Sequence, residues 1–263
     1  MNWFSRRRRL ARLRSALRSR PHTILLFHSV GRPASADFLP AGLDCPVELF
    51  EEILKFLSGE AEVVTLSAVL KKPGSVVLTF DDGFRDNFTI AFPLLRQYKL
   101  PATIFVAADA VDAEKLLPIH RYYFARQTGG TFADSIDSPA RRAEVDKYLR
   151  DLPAPGELYL RSDELRAMAD AGIEIGAHTC SHPWLAAWTA KDQRREIERS
   201  KEMLGKLAGR SVNSFAYPYG YRRSFNEASE SIVAENFEFA CLSDDSGAPD
   251  NPRLLPRVNL LAQ

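Results

Sequence analysis

The chain has 263 residues, 45% apolar and 26% charged, enough for a full hydrophobic core. Its three cysteines (Cys45, Cys180, Cys241) exclude a disulfide scaffold or a thiolate zinc site and fit a reducing compartment. The net charge of +1 hides an asymmetry: residues 1–20 carry eight arginines and no acid, while the rest carries 27 basic and 34 acidic side chains, a formal charge of −7.

In the basic arm, Trp3, Leu10, Leu13 and Leu17 fall near helical spacing with arginines between them. That pattern predicts a basic amphipathic helix suited to an anionic membrane surface. The alternatives are a solvated arm or a helix packed on its own domain. Clustered arginine also suits phosphate, but the body resembles no nucleic-acid module, so no nucleic-acid partner is expected. No apolar run approaches the roughly 20 residues that span a bilayer, and no apolar h-region follows the arginines. The expected location is the cytoplasm, with peripheral contact at the inner face of the membrane through the arm.

Residues 23–28 read as a first strand closing on His28, which is either catalytic or a satisfied ring at a rim. Residues 46–57 have helical apolar spacing (Val47, Phe50, Ile53, Leu54, Leu57) and stop at Ser58-Gly59. The unbroken run Val76-Val77-Leu78-Thr79-Phe80 predicts a strand buried in a parallel sheet, and it ends in Asp81-Asp82-Gly83. Successive strand side chains diverge, so one carboxylate can bind a metal while its neighbour handles a proton. A solvated Asp-Gly turn is the plain alternative. A helix over 87–98 and a strand over 102–106 follow.

Residues 112–160 lose the pattern and read as an insertion with two short helices that shape a substrate groove. A helix then opens at Ser162-Asp163-Glu164 and ends near Gly172. Strands over 173–178, 212–217 and 239–242 alternate with helices over 192–207 and 225–235, and residues 254–261 complete the chain. Alternation without internal repeat predicts one α/β domain over 21–263, a parallel sheet or barrel.

Two further strand ends carry polar groups. Ile173–His178 runs into Thr179-Cys180-Ser181-His182-Pro183; the proline disfavours helix at His182, so His178 ends the strand and His182 lies in the turn. Two imidazoles with a carboxylate such as Asp82 make a ligand set that leaves a position for water. In Phe215-Ala216-Tyr217-Pro218-Tyr219-Gly220, the proline and glycine impose a rigid turn whose N–H groups either face the site or simply belong to an aromatic packing corner.

Together, Thr79–Gly83, His178–Pro183 and Phe215–Gly220 resemble the first three motifs of the polysaccharide deacetylases of the NodB-homology class, metal-dependent carbohydrate esterases. The resemblance covers most of residues 22–260. It implies a distorted, incomplete (β/α) barrel and hydrolysis of N-acetyl groups of amino sugars in a polysaccharide, oligosaccharide or lipid-linked glycan precursor. An O-acetyl esterase and a silent glycan-binding barrel are the alternatives. By resemblance, Asp81 is the general base, Asp82, His178 and His182 hold the metal, and the Tyr219 N–H stabilises the oxyanion. Zinc is the expected ion, although Co2+, Ni2+ and Fe2+ suit the same donors.

The sequence departs from that family in three places. A Leu-x-His motif is missing near the carboxyl terminus, but Leu26-Phe27-His28 has that form, like the subgroup in which the motif is permuted to the first strand; His28 becomes the candidate general acid. Ala216 stands where many members have an arginine paired with the catalytic aspartate, and Arg257 is expected to substitute. No fourth-motif tryptophan is evident, so Leu26, Trp184 and Leu255 are expected to line the acetyl pocket. His22 and His120 have no comparable context.

Overall fold

The computed structural model describes residues 3–33, 36–113, 115–131, 139–150 and 157–261. In chain order the elements begin with α1 (Trp3–Ser19), β1 (Thr23–Phe27), β2 (Ser29–Val30), β3 (Asp44–Cys45), α2 (Val47–Glu60) and β4 (Val76–Phe80). Next come α3 (Phe92–Tyr98), β5 (Thr103–Val106), α4 (Pro118–Gln127), α5 (Pro139–Leu149), α6 (Ser162–Asp170) and β6 (Glu174–Ala177). The last are α7 (Ala190–Ala208), β7 (Ser214–Ala216), α8 (Glu227–Asn236) and β8 (Phe239–Cys241). Within three residues at the ends, these are the elements the apolar spacing predicts for the sheet and its helices. The exceptions are the short parallel pair β2–β3, which the sequence did not announce, and residues 87–98, where a π-helical turn over Asn87–Ala91 precedes α3.

Six parallel strands form a curled sheet in the order β1-β4-β5-β6-β7-β8. This is a distorted, incomplete (β/α) barrel in a single domain. Between the edge strands β8 and β1 lies the closing segment, which makes isolated parallel bridges from Leu255 to Cys241 and from Val258 to Leu25. It is not a full strand. Pro256 lies between the two bridging residues and has no N–H to give to a ladder.

The strand period of two sorts side chains between two cores. Leu25, Phe27, Val76, Leu78 and Phe80 face outward into a large cluster with Leu49, Phe50, Ile53 and Leu54 of α2. Ile24, Val77, Phe105, Ala216, Cys241 and Leu255 face inward and fill the barrel. Because the strands are parallel, all their C-terminal ends meet at one rim, and that rim carries the polar residues.

The arginine-rich arm does form a helix, but the helix is part of the domain. Leu13 is fully buried, and Leu10 and Leu17 pack beside it on the large cluster. Burying one leucine this way is worth roughly 2 kcal/mol, which favours docking over a free arm. Arg6 pairs with Glu52, Arg20 with Asp245, and Arg14 lies over the Phe56 ring. The apolar face expected to lie in a membrane is therefore used inside the protein, and Arg8, Arg14 and Arg18 remain exposed. The side chain of Trp3 falls outside the described residues. No helix among the described residues is long and apolar enough to cross a membrane.

Candidate active site

The rim assembles the three strand-end segments around Asp82. One ligand atom from each of Asp82, His178 and His182 lies within 4.8 Å of the others, and all three residues are buried. The Nε2 atoms of His178 and His182 each stand 3.5 Å from Asp82 Oδ1. That oxygen is buried and has no hydrogen-bond partner. A buried, ionised, unpartnered oxygen facing two imidazole nitrogens is costly unless a cation lies between them, so the residues fit a divalent ion with zinc-type donors.

The tautomers agree with that reading. His178 Nδ1 donates to the Ala216 carbonyl at 2.7 Å, which leaves Nε2 with a lone pair facing Asp82. Burial pushes His182 down to about 3, so its ring is neutral and able to ligate. Burial alone would raise the Asp82 carboxyl, but the hydrogen bond from His120 holds it below the usual carboxylate range.

The backbone at this rim is bent by local strain. Asp82 (φ 72°), Thr179 (φ 62°), His182 (φ 54°) and Tyr219 (φ 61°) all lie in the left-handed region that L-residues seldom enter. Glu196 of α7 holds the histidine turn by accepting from the N–H groups of Cys180 (3.0 Å) and Ser181 (2.8 Å). Arg142 of α5 reaches the same turn, donating to Ser181 Oγ and the His182 carbonyl at 3.2 Å each. In the third segment, Gly220 (φ 63°) is packed so closely on Ser243 that an added Cβ would sit 2.4 Å from its backbone nitrogen.

Asp81 continues the inward-facing series of Val77 and Thr79, two residues beyond Thr79, and there it meets Arg257. The guanidinium donates in parallel, Nη1 to Oδ1 at 2.7 Å and Nη2 to Oδ2 at 2.6 Å. Arg257 is 1% exposed, and it also donates to Thr79 Oγ1 and the Leu242 carbonyl. Burial works to raise the Asp81 carboxyl, and the charge and hydrogen bonds of Arg257 hold it low. The closing segment thus supplies the arginine that Ala216 cannot, at the position the sequence suggested.

His28 follows β1 beside these groups. Asn87 Nδ2 holds its carbonyl at 2.8 Å, while Asp86 accepts from Ser29 Oγ at 2.6 Å and from Val30 N at 3.0 Å. Its Nδ1 is buried without a partner. Burial lowers the His28 pKa, and the carboxylates of Asp82 and Asp81 oppose that shift. His28, Asp81, Asp82, His178, His182, Arg257 and Leu26 all line one cleft of about 520 Å³, with Tyr123, Tyr219 and Tyr221 on its walls.

Two expected pocket residues are elsewhere. Leu255 is inward-facing but lies one layer below Arg257, fully buried among the barrel side chains. Trp184 packs on the Tyr219 ring at 5.0 Å and does not line the cleft. One residue that the sequence gave no reason to choose is present instead: His120 of α4, whose Nε2 lies 3.4 Å from Asp82 Oδ2. Glu196 was detectable, as a charged residue on the buried stripe of α7 with Gln193, Ile197 and Leu204.

The polysaccharide deacetylase family model matches residues 69–236. The chain is 25% identical over 206 residues to YxkH of Bacillus subtilis (strain 168), a protein named for the same family; the match covers 75% of this chain and 56% of YxkH. It is 32% identical over 95 residues to the peptidoglycan deacetylase of Helicobacter pylori, covering 34% of this chain and 32% of that protein. The chain thus spans about half the length of the first relative and a third of the second. In fold it is similar to the de-N-acetylase from Aggregatibacter actinomycetemcomitans, with a TM-score of 0.66 at 15% identity over 90% of this chain and 94% of the other. With the family model covering well over half of its length, the chain belongs to the polysaccharide deacetylase family.

Proposed function

We propose that this protein is a metal-dependent deacetylase that hydrolyses N-acetyl groups of amino sugars in a polysaccharide, an oligosaccharide or a lipid-linked glycan. The observation that carries the reading is the buried, unpartnered Asp82 Oδ1 facing His178 and His182, with Asp81 held ionised beside it. Asp82, His178 and His182 would hold the ion, zinc first. Once bound, it would supply Lewis acidity to water and to the acetamide carbonyl.

The remaining work falls to the chain's own groups. Asp81 accepts the proton of the attacking water at Oδ2, the oxygen 4.0 Å from His178 Nε2. Arg257 keeps that carboxylate ionised and fixes its plane, so the accepting lone pair is aimed before substrate arrives. His28 returns a proton to the leaving amine. Burial favours its neutral ring and the nearby carboxylates favour its charged one, so it can exchange a proton as charge develops. The Tyr219 N–H serves the developing oxyanion, a contribution of about 3–4 kcal/mol in comparable sites. Leu26, at the cleft wall below His28, offers apolar surface to the acetyl methyl.

The test is acetate release from N-acetylated oligosaccharides and sugar lipids, measured with and without chelator, with O-acetylated glycans as a parallel arm. The proposal expects chelator-sensitive release from an N-acetyl substrate that returns with zinc. Release from O-acetyl substrates alone would replace the amide by an ester as the scissile bond. No chelator-sensitive release in either arm contradicts the proposal.

A further inference from the structure

His120 is the one imidazole at the site with no place in the reading above. It is 1% exposed, and α4 presents it to Asp82 Oδ2, whereas the two ligand histidines face Oδ1. Its Nδ1 lies 2.7 Å from the hydroxyl of Tyr159, which also accepts from the Leu117 N–H at 2.8 Å. With that N–H on the phenol oxygen, the phenol proton goes to His120 Nδ1. The proton on His120 then sits on Nε2, facing an acceptor-only carboxylate oxygen.

The backbone reinforces this relay. Phe84 pairs with Tyr159 in an antiparallel bridge, Arg85 N donates to the Leu158 carbonyl at 2.9 Å, and Leu160 N donates to the Gly83 carbonyl at 3.0 Å. The segment that carries Tyr159 is therefore laced to the residues directly after Asp82. The Phe84 ring also packs on His120, with centroids 5.0 Å apart. Gly83 (φ 80°) carries the turn after Asp82 past β5, where an added Cβ would meet Val106 Cγ1 at 2.8 Å.

We propose that His120 is a positioning residue: through Nε2–H it holds Asp82 Oδ2, so that Oδ1 is presented to the cation site, with Tyr159 fixing the tautomer that makes this possible. The proposal rests on the metal reading of Asp82, His178 and His182. The two oxygens of Asp82 then have separate tasks, one anchored to the insertion and one facing the ligand histidines. An ionised carboxylate in strained backbone (φ 72°) would otherwise turn about its side-chain torsions, and partners of this kind commonly change metal affinity 10- to 100-fold.

Zinc affinity of the full-length protein, measured by competition with a chelating dye and without substrate, tests it. His120→Ala should weaken binding by about 10- to 100-fold. His120→Gln, whose amide N–H reaches the place of Nε2, should recover most of the loss, and Tyr159→Phe should shift affinity the same way by less. His120→Ala at wild-type affinity overturns the proposal, as does His120→Gln no better than His120→Ala with both melting like the wild type. A wild-type protein that takes up no zinc overturns the metal reading itself, and this one with it.

Discussion

The strand rim and the insertion wall meet at Asp82 and hold it in different ways. On the rim, Asp81, Asp82, His28, His178 and Arg257 follow strand or bridge residues whose parallel register is set by backbone hydrogen bonds. Their placement is inherited from the sheet, and so is the alternation that points Asp81 inward toward Arg257. On the wall, α4 and α5 touch the site through side chains: His120 to Asp82, and Arg142 to the histidine turn. On the proposed function, the rim would supply the groups that do chemistry, and the wall would adjust how firmly they are held. Rim substitutions should therefore abolish function, while wall substitutions should tune it.

The sharpest way to break that comparison is at the ligands. Asp82→Ala or His178→Ala should remove bound zinc and cut acetate release by roughly 1,000-fold or more, about 4 kcal/mol of barrier or above. Next comes Arg257→Lys, which keeps the charge but loses the parallel pair of bonds. It should reduce turnover by roughly 100-fold, about 3 kcal/mol, with bound zinc unchanged; unaltered turnover would remove Arg257 from the mechanism.

A pH effect distinguishes the rim further. Burial raises the Asp86 carboxyl to about 6, against the hydrogen bonds from Ser29 and Val30. Because the folded value lies above the unfolded value near 3.8, its stabilisation is complete below about pH 4 and is lost as pH rises through 6. Melting temperature followed from pH 4 to 7 should show this, up to about 3 kcal/mol, and Asp86→Asn should flatten that part of the profile. An identical slope in the variant would contradict it. The smallest effect belongs to the wall: Arg142→Ala removes two hydrogen bonds to the histidine turn and should cost about 1–3 kcal/mol, or about 2–8 °C in melting temperature. A loss of turnover as large as that of Arg257→Lys would erase the difference between the two regions.

This division also explains what could be read from the sequence. Strand ends announce themselves, because an apolar run such as Val76–Phe80 stops at the residue where the sheet stops, and its period of two separates Asp81 from Asp82. Residues close in space through the barrel, such as Asp81 and Arg257, were accessible only because the resemblance called for an arginine beside the aspartate and Ala216 could not supply it. Leu255 was misplaced by one layer: two positions along the chain from Arg257 is a full side-chain layer down the barrel. His120 was illegible. A lone histidine on a helix of an irregular stretch becomes part of the site only when α4 folds back over the rim, and no local pattern encodes that contact. The arm shows the same limit, since its helical spacing was visible while the surface that covers Leu13 was not.

The central claim is that Asp82, His178 and His182 hold one ion beside an ionised Asp81. The most direct test is metal content and acetate release measured on the same preparations of wild type and Asp81→Asn. The account predicts about one zinc per chain in both proteins, with chelator-sensitive release in the wild type and almost none in Asp81→Asn. Zinc missing from the wild type, or full release from Asp81→Asn, would contradict it.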